Sequence, residues 1–256
     1  MKARSRSSSI PRKRSKPQRA RPAPQAIWDV SRIVAELERR GTRRNVEGMA
    51  RFGIRAKVCY GVAKPILDEI ASRCGKSHEL ALDLWQTGIH DARILAGMVD
   101  VPAEVTATQM EEWVSEFDNW DICDGTCCHL FVFAEPAWRK AVEWTTRQNE
   151  FEKRAGFALA AYLAYRDKTA PNSAFRKFLK IIEREAGDER NFVRKAVNWA
   201  LRNIGKRNMA TNRAAIGTAK HLRHSEISAT RWIAADTLRE LQSSAVQERL
   251  RRREEA

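Results

Sequence analysis

The sequence predicts an all-α fold in which paired helices stack into an α-solenoid, and three observations support this. Apolar residues recur at helical spacing along nearly the whole chain from Ala26 onwards. Alternating apolar and polar residues, which would indicate half-buried strands, are absent. A helix of ordinary length fits in roughly every 15–20 residues, so the helices fall into pairs.

Thirteen helices are predicted in chain order, and helix-breaking residues separate several of them. Pro102, Pro136 and Pro171 each stand between two helices, and Gly187 with Asp188 separates another two. The predicted helices span residues 27–40, 45–52, 63–74, 77–87, 89–99, 107–117, 120–134, 137–146, 149–165, 173–186, 191–206, 209–223 and 228–241.

A loose repeat indicates how these helices assemble. Four segments that begin at Asp91, Glu152, Val193 and Ala229 each place a basic residue at the entry to an Ala-rich helix. Their intervals run from 36 to 61 residues, and the longest has room for one more unit around Asp124. Such periods are typical of HEAT-like helical repeats, which bury their apolar faces against one another. We expect the inner helices to form a concave basic face.

Charge divides the chain into three parts. The net charge is +15, and residues 1–25 hold nine Lys or Arg and no acid, which leaves +6 for the remainder. We expect 1–25 to be a disordered basic tail, 26–243 to be the HEAT-like repeat domain, and 244–256 to be a charged C-terminal tail. A basic tail adds non-specific affinity for nucleic acid; alternatively, it only increases solubility.

Neither secretion nor a membrane location is predicted. The N-terminal segment lacks the apolar run of a signal peptide, and no stretch approaches 18 consecutive apolar residues. The five cysteines are odd in number and unevenly spaced, as in a reduced cytosolic protein. Cys123, Cys127, Cys128 and His129 lie on one predicted helix, whereas zinc ligands are normally paired by a short loop. We therefore predict neither a metal site nor a cofactor.

One predicted helix carries a basic stripe with an indole in it. Lys195, Trp199, Arg202 and Lys206 follow one another at i, i+4, i+7 and i+11, which places them on one face. The apolar residues of the helix lie beside this stripe. Packing explains such an indole poorly, whereas a phosphate backbone would meet the cations and a sugar or base would meet the ring. The stripe therefore indicates a nucleic-acid-binding surface.

The segment from Asp118 to Asp124 contains the candidate catalytic group. Asp118 or Asn119 can cap the helix that follows, and Asp121 in its first turn is favoured by the helix dipole. Asp124 lies one turn further in, on the same face as Trp120. Two interpretations are open for Asp124: an ion pair with an Arg of a neighbouring helix, or a catalytic carboxylate.

These motifs resemble the AlkD-type DNA glycosylases, bacterial alkylation-repair enzymes built of HEAT-like repeats. The similarity extends over residues 45–241. It rests on Trp120-Asp-x-x-Asp124, Phe151-Glu-Lys-Arg154-Ala-Gly, Phe192-Val-Arg-Lys-Ala-Val-Asn-Trp199 and Met49-Ala-Arg51-Phe52. A tyrosine is common in the family where this chain has Phe52, so a hydroxyl that might meet DNA is missing.

The resemblance implies the role of each residue. Asp124 would be the catalytic carboxylate, Trp120 and Trp199 would flank the deoxyribose, and Arg154 would hold the DNA backbone with Phe52 nearby. Lys195, Arg202 and Lys206 would add backbone contacts. The implied partner is double-stranded DNA with alkylated bases, bound by a monomer in the bacterial cytoplasm at the nucleoid. The family is known for engaging the sugar-phosphate backbone without a base-reading pocket.

The chemistry of such a site can be reasoned from charge. Alkylation at N7 of guanine or N3 of adenine makes the base cationic, so it leaves as a neutral molecule and needs no general acid. Positive charge then develops on the sugar, and an ionised carboxylate beside it stabilises the transition state more than the substrate. One carboxylate without a partner acid predicts excision of cationic N-alkylpurines, which leaves an abasic site.

Two alternatives from other classes remain open. A HEAT-like nucleic-acid-binding or damage-sensing protein without catalysis would keep the basic face but would not need a charged Asp124. A protein-interaction scaffold would tolerate the loss of Trp199 and of the basic stripe, and would bind DNA weakly with little salt dependence.

Overall fold

A computed structural model describes residues 28–255, and within this range the chain is helical with no strand. The α-helices are α1 (Val30–Arg40), α2 (Arg43–Arg51), α3 (Lys64–Cys74), α4 (His78–Gln86), α5 (His90–Val99), α6 (Ala107–Ser115), α7 (Trp120–His129), α8 (Ala137–Trp144), α9 (Glu150–Arg166), α10 (Asn172–Glu185), α11 (Asn191–Gly205), α12 (Met209–Leu222), α13 (Ser228–Leu241) and α14 (Ser244–Glu254). A 3-10 turn spans Phe131–Phe133. The predicted all-α class is confirmed.

The helices form two layers. An inner row consists of α3, α5, α7, α9, α11 and α13, each packed on the next. The outer helices lie behind it: α4 packs on α5, α8 packs on α9, and α12 packs on both α11 and α13. The extra repeat unit expected around Asp124 is α7, between α5 and α9. This arrangement brings the first turns of successive inner helices side by side.

Small residues allow the central helix α9 to be buried on almost all sides. Ala155, Ala158, Ala161 and Gly156 are all inaccessible to solvent. A Cβ added at Gly156 would lie 2.6 Å from the backbone nitrogen of Thr145, at the end of α8. Because α8, α7 and α11 all pack on α9, this close approach fixes the spacing of both layers.

Aromatic side chains fill the core between the layers. Trp85 and Trp113 stack with ring centroids 4.0 Å apart, and Phe131 packs between Trp113 and Trp144. All four side chains are buried. The predicted helix 120–134 ends earlier, at His129, because the chain turns there and inserts Phe131 into this cluster.

The structure describes one of the two predicted tails. The predicted basic tail, residues 1–25, lies outside the described residues. The predicted charged C-terminal tail is largely the helix α14, whose Val246 and Leu250 are buried against α12 and α13. The apolar pair at i, i+4 explains the difference, since it gives a highly charged helix one face to pack. Within residues 28–255, no helix is long and apolar enough to cross a bilayer.

Candidate nucleic-acid interface

A cleft of about 1270 Å³ runs along the inner row. Its walls come from α2, α3, α5, α7, α9 and α11. Six of the eight predicted site residues line it, namely Phe52, Trp120, Asp124, Arg154, Lys195 and Trp199. The other two, Arg202 and Lys206, lie outside it. Residues up to 147 positions apart in sequence are thus brought together by the stacking of inner helices.

The start of α7 aims the central side chains into the cleft. Asn119 caps the helix, since its side-chain oxygen accepts hydrogen bonds from the backbone nitrogens of Asp121 and Ile122 at 3.0 and 3.1 Å. Ile122 is buried, so the opposite face of the helix carries Trp120 and Asp124 to the cleft. Trp120 and Asp124 therefore lie one turn apart on the same face of α7, as their i, i+4 spacing predicts.

Asp124 is held by a two-pronged pair with Arg154 from α9. Arg154 Nε donates to Asp124 Oδ1 at 2.9 Å, and Arg154 Nη2 donates to Oδ2 at 2.7 Å. The third donor of Arg154, Nη1, bonds the carbonyl oxygen of Phe192 at 2.7 Å. This geometry is the strongest kind of carboxylate–guanidinium pair. The ion pair that was one interpretation of Asp124 is therefore present.

Arg154 lines the cleft but is mostly buried in it. It is 7% exposed and uses three of its five N–H donors on Asp124 and Phe192, so its contact with the DNA backbone stays a prediction. A basic residue at this repeat position is visible in the sequence, but its partner lies 30 residues away on another helix. In this structure Arg154 orients the carboxylate and balances its charge.

Burial and the ion pair have opposite effects on the pKa values of Asp124 and Arg154. Burial raises the pKa of Asp124, and Arg154 lowers it through its charge and hydrogen bonds, with the net result above the ordinary value. Burial lowers the pKa of Arg154, but Asp124 raises it by more. The guanidinium is therefore charged, and it opposes protonation of the buried carboxylate.

Two indoles stand beside Asp124, and each is fixed by a neighbour. Trp120 Nε1 donates to the carbonyl oxygen of Phe52 at 2.9 Å, which ties α7 to the end of α2. Trp199 meets the edge of Tyr162, with centroids 4.9 Å apart and planes at 84°. Phe52 itself is 72% exposed at the mouth of the cleft. Two indoles and a carboxylate that line one cleft suit a site for a cation.

Several cleft residues were missed from the sequence. Tyr162 lines the cleft beside Trp199. Burial, followed by the neighbouring Cys128, raises the pKa of Tyr162, so its hydroxyl stays protonated. His90 is buried and its Nε2 lies 3.1 Å from Asp121 Oδ2. Its position in the sequence could have indicated His90, because it is the first residue of an inner helix, as Trp120 is.

Exposed cations surround the mouth of the cleft. Arg44, Arg51, Lys64 and Lys195 all line it and are exposed. Only Lys195 was singled out as a DNA ligand from the sequence, although Arg51 belongs to the Met49-Ala-Arg51-Phe52 motif. Lys64 pairs with Asp68 of its own helix, so Arg44, Arg51 and Lys195 are the cations here that can meet phosphates near Asp124.

Arg202 and Lys206 are not free cations. Arg202 pairs with Asp236 at 3.1 Å and also with Glu240, and Lys206 pairs with Glu240 at 2.8 Å. Both acids lie on α13, 34 to 38 residues further along the chain. The predicted stripe exists on α11, but its second half meets the next inner helix and stabilises the packing between them. Both side chains therefore form ion pairs within the fold, whereas the sequence predicts that they contact DNA.

Trp232 of α13 is 39% exposed. The guanidinium of Arg194 lies over its ring, 4.8 Å from the centroid. Among residues 28–255, no group of three or more His, Cys, Asp or Glu side chains is placed to hold a metal ion.

Comparisons with known proteins agree with this fold. Residues 33–241 match a family model described as "DNA alkylation repair enzyme". A similar solved structure is described as "a new family of proteins related to the HEAT-like repeat DNA glycosylases with affinity for branched DNA structures". It is 21% identical, with a TM-score of 0.69 over 83% of this chain and 95% of that one. No curated protein is significantly similar to the chain.

Proposed function

Because the chain belongs to the DNA alkylation repair enzyme family, we propose that it is a DNA glycosylase for cationic N-alkylated purines. Its substrates would be bases such as N3-methyladenine and N7-methylguanine in duplex DNA, and its product an abasic site. One observation supports this most strongly: a buried carboxylate, Asp124, lines the same cleft as Trp120 and Trp199, with exposed cations around the mouth.

The proposed reaction breaks the bond between C1′ of the sugar and the alkylated base. The electrons of that bond return to the base, which leaves neutral, and positive charge spreads over C1′ and the ring oxygen. The negative charge of Asp124 and the electron-rich faces of both indoles stabilise this cation. A water molecule then adds its oxygen to C1′ and releases a proton to solvent.

The pair with Arg154 leaves Asp124 able to act. A carboxylate has about four lone-pair sites, and Arg154 occupies one on each oxygen. The remaining lone pairs can face the sugar or accept a hydrogen bond from the attacking water. Arg154 also reduces the field of the carboxylate at the sugar, so the developing charge must lie closer to Asp124 than to the guanidinium.

The proposed setting follows from the same chemistry. The partner is double-stranded DNA that carries alkylated bases, bound by a monomer through one continuous cleft. No cofactor is needed, because a cationic base is already an activated leaving group. We place the protein in the bacterial cytoplasm, at the nucleoid, where this substrate occurs.

Release of bases from matched duplexes tests the proposal. One duplex carries a cationic N7-methylguanine and the other carries neutral hypoxanthine at the same position. The native protein should release the first base well above the spontaneous rate and leave the second in place, since only the first needs no acid. Release of neither base, or equal release of both, would contradict the proposal.

A second candidate is a DNA-binding protein without catalysis. It is favoured by the two-pronged pair of Asp124 with Arg154, which gives the carboxylate a structural role, and by the description of the similar structure, which refers to affinity for branched DNA. This candidate predicts tighter binding to a four-way junction than to a duplex of equal length, with no base release from either. Competition binding at fixed salt, run beside the base-release assay, distinguishes the two.

A further inference from the structure

A second basic surface lies one helical turn beyond the cleft. It is a shallow depression of about 160 Å³ between the ends of α9 and α11 and the last turns of α14. On α9 the cleft ends at Tyr162 and this depression begins at Ala164; on α11 the corresponding change comes between Trp199 and Asn203. We call it the C-terminal basic patch, lined by Tyr165, Lys168, Lys206, Arg207, Arg249 and Arg253.

Two of its five cations are already used within the fold. Lys206 pairs with Glu240 at 2.8 Å. Arg207 donates to backbone carbonyls at the end of α9 and in the turn after it, including those of Lys168 at 3.0 Å and Ala170 at 2.6 Å. Arg207 therefore closes α9, where orphan carbonyls carry partial negative charge. Neither cation needs a further partner.

The other three cations are uncompensated. Lys168, Arg249 and Arg253 form no ion pair with any acid of residues 28–255. Burial lowers the pKa of Lys168, and repulsion from Arg253 and Arg207 lowers it further. Among residues 28–255, the side chain of Arg253 has one hydrogen bond, at 3.5 Å to the carbonyl oxygen of Lys206. Crowded like charges of this kind are relieved when an anion binds among them.

An aromatic ring belongs to the same surface. Tyr165 is 60% exposed, and it lies 5.0 Å from Lys168 Nζ and 5.4 Å from the guanidinium of Arg166. An exposed ring beside several cations matches a polymer with phosphates and flat sugars or bases, rather than an isolated anion. Because the patch continues the cleft along α9 and α11, one DNA molecule can occupy both.

We propose that the C-terminal basic patch binds the phosphodiester backbone of a second stretch of DNA, beyond the nucleotides held in the cleft. The inference rests on DNA being the ligand of the cleft, as under the proposed function, and it assigns α14 a role in binding. It does not require catalysis.

The salt dependence of DNA binding tests the inference. In the patch variant, Lys168, Arg249 and Arg253 are all replaced by Ala; in the matched control, the exposed Arg176, Lys177 and Lys180 of the outer helix α10 are replaced instead. Both lose three charges. Each phosphate contact contributes about 0.9 to the slope of log K against log salt. The patch variant should therefore lose about 2 to 3 units of slope on a long duplex, whereas the control keeps the native slope.

A single variant guards against misfolding. The side chain of Arg249 makes no hydrogen bond or ion pair with any other residue of 28–255, so Arg249→Gln should keep the native melting temperature and lose about 0.9 of slope. Equal slopes for the patch variant, the control and the native protein would overturn the inference, as would equal losses in both triple variants. Base release by the native protein is scored separately, so failure of the proposed function leaves this comparison intact.

Discussion

At the scale of single residues, Asp124 is subject to two opposing influences. Burial disfavours its charge, and the guanidinium of Arg154 supports it through two hydrogen bonds at 2.7 and 2.9 Å. The proposed chemistry needs the ionised form, because a protonated carboxyl cannot stabilise a sugar cation. The pKa of Asp124 therefore decides the pH range in which the protein can act.

The fall in the rate of base release at low pH tests this dependence. Protonation removes the catalytic charge, so release of N7-methylguanine should fall as pH falls through the pKa of Asp124, which burial places above that of an ordinary aspartate. Arg154→Gln removes the group that lowers this pKa, so the rate of base release by this variant should begin to fall at a higher pH. Single-turnover rates, corrected for spontaneous depurination, measure the shift.

The matched control is Arg154→Lys, which keeps the positive charge and loses the fork. The rate of this variant should fall at a pH closer to the native value than the rate of Arg154→Gln does. If the rates of all three proteins fall at the same pH, Asp124 does not control the rate.

At the scale of elements, α11 shows how one helix divides its cations between two tasks. Lys195 is exposed at the cleft, whereas Arg202, seven residues later, pairs with Asp236 and Glu240 of α13. The helix itself follows from its apolar periodicity. The partner of each cation depends on which side chains of α13 face it across the layer, and no local pattern specifies that.

Substitutions of these two cations should therefore have different effects. Lys195→Ala should lower the salt slope of DNA binding by about 0.9 and leave the melting temperature unchanged. Arg202→Ala removes one of the partners of Asp236 and of Glu240 and should cost about 1 kcal/mol of unfolding free energy. Thermal melting and DNA titration of both variants check this, and a stability loss confined to Lys195→Ala would contradict the assignment.

The close packing of α8 on α9 gives a second prediction at this scale. Gly156→Ala places a Cβ 2.6 Å from the backbone of Thr145, so the helices must separate and we expect a loss of about 1–3 kcal/mol. Gly217→Ala is the control, because it lies within α12 and its Cβ would meet nothing within 4 Å. Helix propensity should make the control slightly more stable than the native protein. Equal melting temperatures for both variants would contradict this packing.

The sequence predicted most of the elements but fewer of their partners. Caps and breakers such as Asn119 and Pro171 lie next to the helices they begin, so boundaries could be located locally. The contacts of Arg154 and Trp232 could not be predicted from the sequence, because their partners lie 30 or more positions away. The helix α14 was missed because a charge run concealed its single apolar pair.

At the scale of the whole molecule, positive charge is distributed over three regions. The first is the mouth of the cleft, the second is the C-terminal basic patch, and the third is the N-terminal segment with nine Lys or Arg among residues 1–25. Charges spread in this way attract a polyanion over a long distance and add affinity without reading sequence. Lesion selectivity must then arise at Asp124 rather than from overall binding.

Replacement of the nine cations in residues 1–25 by Gln tests the contribution of that segment. Each cation that meets a phosphate should reduce the salt slope by about 0.9, and the chain keeps its length. DNA titration over a salt series measures this. A slope equal to that of the native protein would mean that the segment serves solubility alone.

The central claim is that the charge of Asp124 drives base excision. The most direct measurement compares single-turnover release of N7-methylguanine by the native protein and by Asp124→Asn, with affinity for the same duplex and thermal melting measured in parallel. The substitution keeps the size of the side chain and removes its charge. We predict that release falls by about a hundredfold or more while the variant remains folded and bound to DNA. Equal release by both proteins would contradict the claim and leave Asp124 as a structural partner of Arg154.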